Sequence, residues 1–276
     1  MTDFGLIGHP ISHSMSKIMH EAAFKELGLD YTYGLFDVRE GEFRLFMENA
    51  DFRGLNVTIP LKIAAVKYMR ELSHEARVIG AVNTIDFKDG AVGYNTDSVG
   101  FINSLEEAGV DVKGRAFLVL GAGGAGRGIV FKLAMEKARV YSFNRDPEKS
   151  HLLANEVMEK LGVKVQPVSD IKAAIRDVDV LVNATPVGMH PNVNETLVDK
   201  QLFHPALTVV DIVYNPIETR LIREASERGC RTVDGVGMLV HQGAEALRIW
   251  LDVNAPLKAM RQAVLDNLRD LAQPPV

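Results

Sequence analysis

Gly121-Ala-Gly123-Gly124-Ala125-Gly126 has the G-x-G-x-x-G spacing, with apolar Phe117–Leu120 before it and Ile129, Val130, Leu133 and Ala134 at helical spacing after it. A glycine turn between a strand and a helix lets a pyrophosphate approach the backbone and rest on the free N–H groups of the helix start. Gly121, Gly123, Gly124, Ala125 and Gly126 are therefore candidate cofactor-binding residues. The end of the next strand discriminates between dinucleotides. Here Arg139–Phe143 runs into Asn144-Arg145-Asp146, with Lys149 one helical turn later. Arg145 and Lys149 offer two cations to a 2′-phosphate, which favours NADP. NAD stays the alternative, because the Asp146 carboxylate repels a phosphate unless it points away and the two cations could equally be a solvated surface pair.

Several polar strings interrupt otherwise apolar segments. They are Pro10-Ile-Ser-His-Ser14-Met-Ser16, Asn56-Val-Thr58-Ile-Pro-Leu-Lys62, Gly80-Ala-Val-Asn83-Thr84, Tyr94-Asn95-Thr96-Asp97 and Asp234-Gly-Val-Gly-Met-Leu-Val-His-Gln242. Asn183-Ala-Thr-Pro-Val-Gly-Met189 and Asp211-Ile-Val-Tyr214 join them in the second half. With the glycine turn and Asn144-Arg145, these strings closely resemble, in the same order, those of the shikimate dehydrogenase family. The resemblance implies an NADP-dependent reversible reduction of 3-dehydroshikimate to shikimate, with a quinate/shikimate dehydrogenase of relaxed substrate and NAD/NADP choice as the alternative.

On its own, Lys62 reads as an ordinary exposed helix residue. The resemblance makes it the catalytic acid/base and Asp97 its partner. That role is chemically sound, since hydride delivery to a ketone leaves an alkoxide that an ammonium can protonate. Burial would lower the lysine and the carboxylate would raise it, so the two are expected to titrate as a coupled unit, with either able to move the proton. Asp97 could also cap the helix through Phe101 and Leu105. Ser14 and Ser16 open the first helix, where one should be the N-cap. The resemblance gives both serines to the substrate carboxylate, together with Tyr214, and makes Asn56, Thr58, Asn83 and Gln242 further substrate contacts. It places Ile212, Gly235 and Met238 beside the nicotinamide. His9, Met15 and His74 depart from the family pattern without removing a catalytic group.

Positioning these residues requires two α/β assemblies. Strands are expected at Phe4–Ile7, Tyr31–Val38, Leu55–Ile59, Val82–Phe87 and Ala91–Tyr94, with helices at 16–27 and around Phe43–Met47 and Ile63–Tyr68. Asp89-Gly90 marks a hairpin between the last two strands. From Arg115 onward strand and helix alternate through residue 234, the pattern of a doubly wound parallel sheet. Helices at 237–251 and 256–271 close the chain ahead of the Gln273–Val276 tail. The domain expectation is residues 1–97 with 238–276 for substrate and catalysis, 98–237 as an NADP-binding Rossmann domain, and a cleft between them.

The 276 residues, 47% hydrophobic and 24% charged, are enough for two cores without covalent staples. A net charge of −5 with no basic block argues against nucleic acid and membrane surfaces. Cys230 is the only cysteine, so a disulfide framework or cysteine-based zinc site is excluded. The eight histidines show no metal spacing. With no membrane-length apolar run and no leader pattern, a cytoplasmic enzyme of small molecules is expected, a homodimer being compatible.

Overall fold

The computed structural model describes residues 2–272, so the Gln273–Val276 tail lies outside the described residues. The chain divides into two compact units, Met1–Gly100 with Val240–Asn267, and Phe101–Leu239 with Leu268–Val276.

In the first unit the elements run β1 (Phe4–Gly8), α1 (Ser16–Glu26), β2 (Tyr33–Asp37), α2 (Phe43–Glu48), β3 (Gly54–Val57), β4 (Glu71–Leu72), α3 (His74–Ile79), β5 (Thr84–Asp86), β6 (Val92–Tyr94) and the start of α4 (Thr96–Glu107). The strands form one sheet in the order β2-β1-β3-β5-β6-β4. β1 lies parallel to β2 and β3, whereas β3–β5 and β5–β6 are antiparallel. Asp89-Gly90 does sit in the β5–β6 connection, with Gly90 at φ +90°.

Two local expectations need correction. The helix expected around Ile63–Tyr68 is a 3-10 segment over Ala64–Tyr68, and β4 and α3 follow where no element was foreseen. Both are short enough to be held by neighbours, not by periodicity. Neither serine caps α1 with its side chain: Met15 occupies the N-cap position, and Ser14 Oγ instead accepts the Ser16 N–H at 3.2 Å.

The second unit continues with β7 (Ala116–Leu120), α5 (Gly124–Met135), β8 (Arg139–Phe143), α6 (Pro147–Leu161), β9 (Val165–Pro167), α7 (Ile171–Ala174), β10 (Val180–Asn183), β11 (Thr208–Asp211), α8 (Arg220–Glu227), β12 (Arg231–Val233) and the start of α9 (Gly235–Leu251), which is followed by α10 (Leu257–Ala272). Its sheet is all parallel in the order β12-β11-β10-β7-β8-β9, the Rossmann order read from the other edge. β7 is buried at all five positions, as a central parallel strand covered on both faces must be. α6 carries a full set of terminal signals, with Asp146 as N-cap, Pro147 in the first turn and left-handed Gly162 at the C-cap.

Most of α9 packs into the first unit. The Trp250 indole N–H donates to Ile85 O at 2.9 Å. The ring lies over Gly54, where an added Cβ would come within 2.3 Å of Nε1. A glycine in β3 thus makes room for the helix that brings Gln242 to this unit.

Candidate active site

Lys62 follows the turn that leaves β3, and its carbonyl accepts the Val82 N–H at 2.8 Å. The side chain is only 12% exposed, which sets it apart from an ordinary surface lysine. Its Nζ donates to Asp97 Oδ2 at 2.5 Å, and the Asp97 side chain is 8% exposed. A buried ammonium is costly unless paired, so the two charges hold each other in place.

Asp97 lies in the first turn of α4, where the helix dipole favours an anion. It does not cap that helix. Asn95 Oδ1 accepts the Ser98 N–H at 3.2 Å in a capping arrangement, leaving both Asp97 oxygens for other partners. Asn83 Nδ2 donates to Asp97 Oδ1 and to Thr96 Oγ1, both at 2.9 Å, while Asn83 Oδ1 accepts the Thr96 N–H at 2.6 Å. Asn56 and Asn83 are both buried, and Gln242 is 8% exposed. Thr58 is partly buried, and its N–H donates to Ile7 O at 2.9 Å. Ser14 Oγ and Ser16 Oγ are 3.2 Å apart at the start of α1. The first unit therefore gathers an ammonium–carboxylate pair, paired hydroxyls at a helix start and several side-chain amides. Among the expected departures, His9 Nδ1 meets Asp37 Oδ1 at 2.5 Å, and Met15 is packed away at 3% exposure.

In the second unit, Gly121 N donates to Phe143 O at 2.7 Å and Gly123 is the N-cap of α5. A Cβ on Gly126 would lie 2.2 Å from the Gly121 carbonyl, so only glycine lets α5 pack this close to β7. A Cβ on Gly123 would meet nothing within 4 Å. The turn thus leaves a bare backbone cradle at a helix start, which fits a pyrophosphate. Gly124 and Ala125 form the first residues of α5. Asn144 is tied to the same turn, with Oδ1 accepting the Ala122 N–H at 3.2 Å. Asp146 is used as the cap of α6, accepting the Glu148 N–H at 3.2 Å. Arg145 and Lys149 are exposed, with no ion pair among the described residues. This donor set fits a 2′-phosphorylated dinucleotide.

At the exit of β11, Ile212 N donates to Asn183 O at 3.1 Å, and the Tyr214 side chain is partly buried. A Cβ on Gly235 would come within 2.4 Å of Ile212 O, so the start of α9 closes tightly on this segment. Met238 is 7% exposed. The Asp211 carboxylate anchors the segment. It accepts Thr219 Oγ1 at 2.7 Å, Asn183 Nδ2 at 3.0 Å and Val213 N at 3.0 Å. Burial pushes its pKa up to about 6 against these hydrogen bonds, which lower it. Sequence reasoning missed Asp211, Thr84, Thr96 and Tyr33 as parts of these networks. Asp211, Thr84 and Thr96 lie in the polar strings, whereas the only signal at Tyr33 was a polar group in an apolar strand. Among the described residues no His, Cys, Asp or Glu cluster could hold a metal, and no helix is long and apolar enough to cross a membrane.

Family models for the shikimate dehydrogenase substrate-binding domain, shikimate/quinate 5-dehydrogenase and the shikimate 5′-dehydrogenase C-terminal domain match residues 6–85, 104–234 and 235–265. A shikimate dehydrogenase (NADP(+)) of Methanopyrus kandleri is 48% identical, with 96% of this chain and 95% of the relative covered. The chain belongs to the shikimate dehydrogenase family. A solved shikimate dehydrogenase in complex with NADP+ superposes with a TM-score of 0.91 at 41% identity, covering 97% of this chain and 96% of the other. The Thermus thermophilus shikimate 5-dehydrogenase, solved with NADP(H) and shikimate, gives 0.86 at 36% identity over 96% and 99% of the two chains. Membership of the shikimate dehydrogenase family accounts for why the polar strings occur in one order through both units.

Proposed function

We propose that this protein is an NADP-dependent shikimate dehydrogenase, interconverting 3-dehydroshikimate and shikimate, with Lys62 and Asp97 as its proton-transfer pair. The observation that carries the reading is the 2.5 Å Lys62–Asp97 contact in a nearly buried setting. Bound NADPH supplies the hydride for reduction of the ketone. Lys62 protonates the oxygen that becomes negative, and Asp97 holds the ammonium in place. Ser14, Ser16 and Tyr214 take the substrate carboxylate, while Asn56, Thr58, Asn83 and Gln242 serve the ring hydroxyls, since amides and hydroxyls both donate and accept.

Residues 1–97 with 238–276 act as the substrate domain in this reading, and 98–237 as the NADP domain. Gly121, Gly123, Gly124, Ala125 and Gly126 receive the pyrophosphate, Asn144, Arg145 and Lys149 the adenosine end, and Ile212, Gly235 and Met238 the nicotinamide. The proposal places the enzyme in the cytoplasm and is compatible with a homodimer.

Initial rates with shikimate and with quinate, each against NADP+ and NAD+, test the proposal. Shikimate with NADP+ is expected to give the highest kcat/KM. A preference for quinate and NAD+ would replace it with the quinate dehydrogenase reading, and turnover of no pair would reject both.

Arg145→Ala isolates the cofactor assignment. Charge-assisted hydrogen bonds contribute about 1.5–3 kcal/mol, so kcat/KM for NADP+ should fall roughly 10- to 100-fold. The value for NAD+, which has no 2′-phosphate, should stay within about twofold. Equal losses for the two cofactors would remove Arg145 from the phosphate site.

A further inference from the structure

Behind the Lys62–Asp97 pair a line of buried polar side chains runs through the sheet of the first unit to Tyr33 on β2. The Tyr33 hydroxyl donates to Asn56 Oδ1 at 2.7 Å. Asn56 Nδ2 donates to Thr84 Oγ1 at 3.1 Å and to Asn83 O at 3.3 Å. Thr84 Oγ1 donates to Asn83 Oδ1 at 3.2 Å, and Asn83 Nδ2 donates to Asp97 Oδ1 at 2.9 Å. Tyr33, Asn56, Asn83, Thr84 and Asp97 are all buried, so water does not substitute for a lost partner.

These bonds point from Tyr33 toward Asp97, and a 3.1 Å contact between Thr84 Oγ1 and Thr96 Oγ1, in which either hydroxyl can donate, joins them from the side. The direction has a cause at its far end. Tyr33 is held flat against His20, ring centroids 4.5 Å apart and planes 10° apart. Burial pushes its phenol pKa well up, so the group stays a protonated donor. A donor at this point requires the Asn56 oxygen to face it, and the Asn56 N–H groups must then face residues 83 and 84. Thr84, having accepted from Asn56, has its single proton for Thr96 Oγ1 at 3.1 Å or for Asn83 Oδ1. That oxygen also takes the Thr96 N–H, which leaves both Asn83 N–H groups for Thr96 and Asp97.

We infer that Tyr33 is a positioning residue for proton transfer, orienting Asp97 and through it Lys62 by way of Asn56, Thr84 and Asn83. The inference rests on the Lys62–Asp97 reading given under Proposed function. A tyrosine needed only to fill space would be replaceable by phenylalanine, which keeps the stacking on His20. Tyr33→Phe instead leaves Asn56 Oδ1 buried without its donor and lets the line relax toward Asp97.

The test compares Tyr33→Phe, Thr84→Val, Thr84→Ser and the Tyr33→Phe/Thr84→Val double variant. Small displacements of a reacting group are costly, so kcat with shikimate and NADP+ should fall about tenfold in Tyr33→Phe and in Thr84→Val, whatever change in KM arises through Asn56 and Asn83. Thr84→Ser, which keeps the hydroxyl, should recover wild-type kcat within about twofold. The double variant should lose little more than the worse single, because both act through one line. Wild-type kcat in Tyr33→Phe, or losses that multiply in the double variant, would overturn the inference. If Tyr33→Phe does not fold, the Val/Ser comparison at Thr84 decides it.

A second readout needs no substrate. Solvent exchange of the Asn83 side-chain N–H2, followed by nitrogen NMR, should be slow in the wild type and faster in Tyr33→Phe. Unchanged exchange would overturn the inference. A wild type inactive with shikimate would sink the functional reading alone, and the exchange experiment would still decide the coupling.

Discussion

Replacing Lys62 by alanine is expected to lower kcat by at least ~10²-fold while leaving KM for shikimate nearly unchanged, the signature of lost acid–base work. The geometry explains why the loss should fall on kcat. Lys62 Nζ is committed to Asp97 Oδ2, whereas the groups assigned to substrate binding lie elsewhere, at the start of α1, in β3 and just past it, before β5, after β11 and on α9. Removing the ammonium takes away the proton donor and leaves those groups in place. Asp97 keeps its Asn83 hydrogen bond and its position at the start of α4, so its carboxylate remains supported. Steady-state kinetics with shikimate and NADP+, alongside thermal melting to establish folding, makes the check. Near-normal turnover in a folded Lys62→Ala protein would remove Lys62 from the mechanism.

Asp211→Asn should remove a pH dependence of stability that the wild type carries. The folded-state pKa is raised from the ordinary 3.8 to about 6 because the carboxyl is buried. The folded protein therefore prefers the protonated form. Asp211 contributes its full stabilisation below about pH 3.8, and that contribution is lost as pH rises to about 6. At 1.36 kcal/mol per pKa unit, the loss is about 3 kcal/mol. An asparagine keeps an oxygen for Asn183 Nδ2 and Val213 N and turns its amide toward Thr219 Oγ1. Across pH 4 to 7, the unfolding free energy of Asp211→Asn should accordingly gain about 2.4 kcal/mol relative to the wild type, the rest of the change lying below pH 4. Urea unfolding at unit pH steps measures this difference, in which the other titrating groups cancel. A flat difference would mean that the carboxylate is ionised at no net cost.

Both predictions concern residues that the sequence presents very differently. Lys62 lies in a polar string that resembles a known family, so a role could be proposed for it before any geometry was known. Asp211 also lies in such a string, but nothing local distinguishes a buried carboxylate with three donors from a strand-end acid in water. Thr219 and Asn183 reach it from other segments of the chain. Similarly, the glycine turn and Arg139–Phe143 were legible because strand, turn and helix are neighbours in sequence. Asn95 took the capping role open to Asp97 because two side chains so close in the chain compete for the same N–H groups, and backbone geometry decides between them. At α1 the N-cap position falls on Met15, which makes no side-chain cap bond, and Ser14 Oγ takes the Ser16 N–H. β4 was invisible because a two-residue strand carries too little periodicity to register.

The sequence by itself determined the alternation of strand and helix, the nucleotide turn, the two cations after β8 and the family. Each depends on residues a few positions apart, where spacing alone settles geometry. Only the tertiary structure decided the environment of each polar group: that Lys62 is nearly buried against Asp97, that Asp146 is spent on a helix cap, and that Tyr33 lies at the head of a line ending at Asp97 and Lys62. These outcomes depend on burial and on which partners meet across a sheet. Burial and long-range pairing set the strength of a charge or a hydrogen bond, and the order of residues along the chain does not record either.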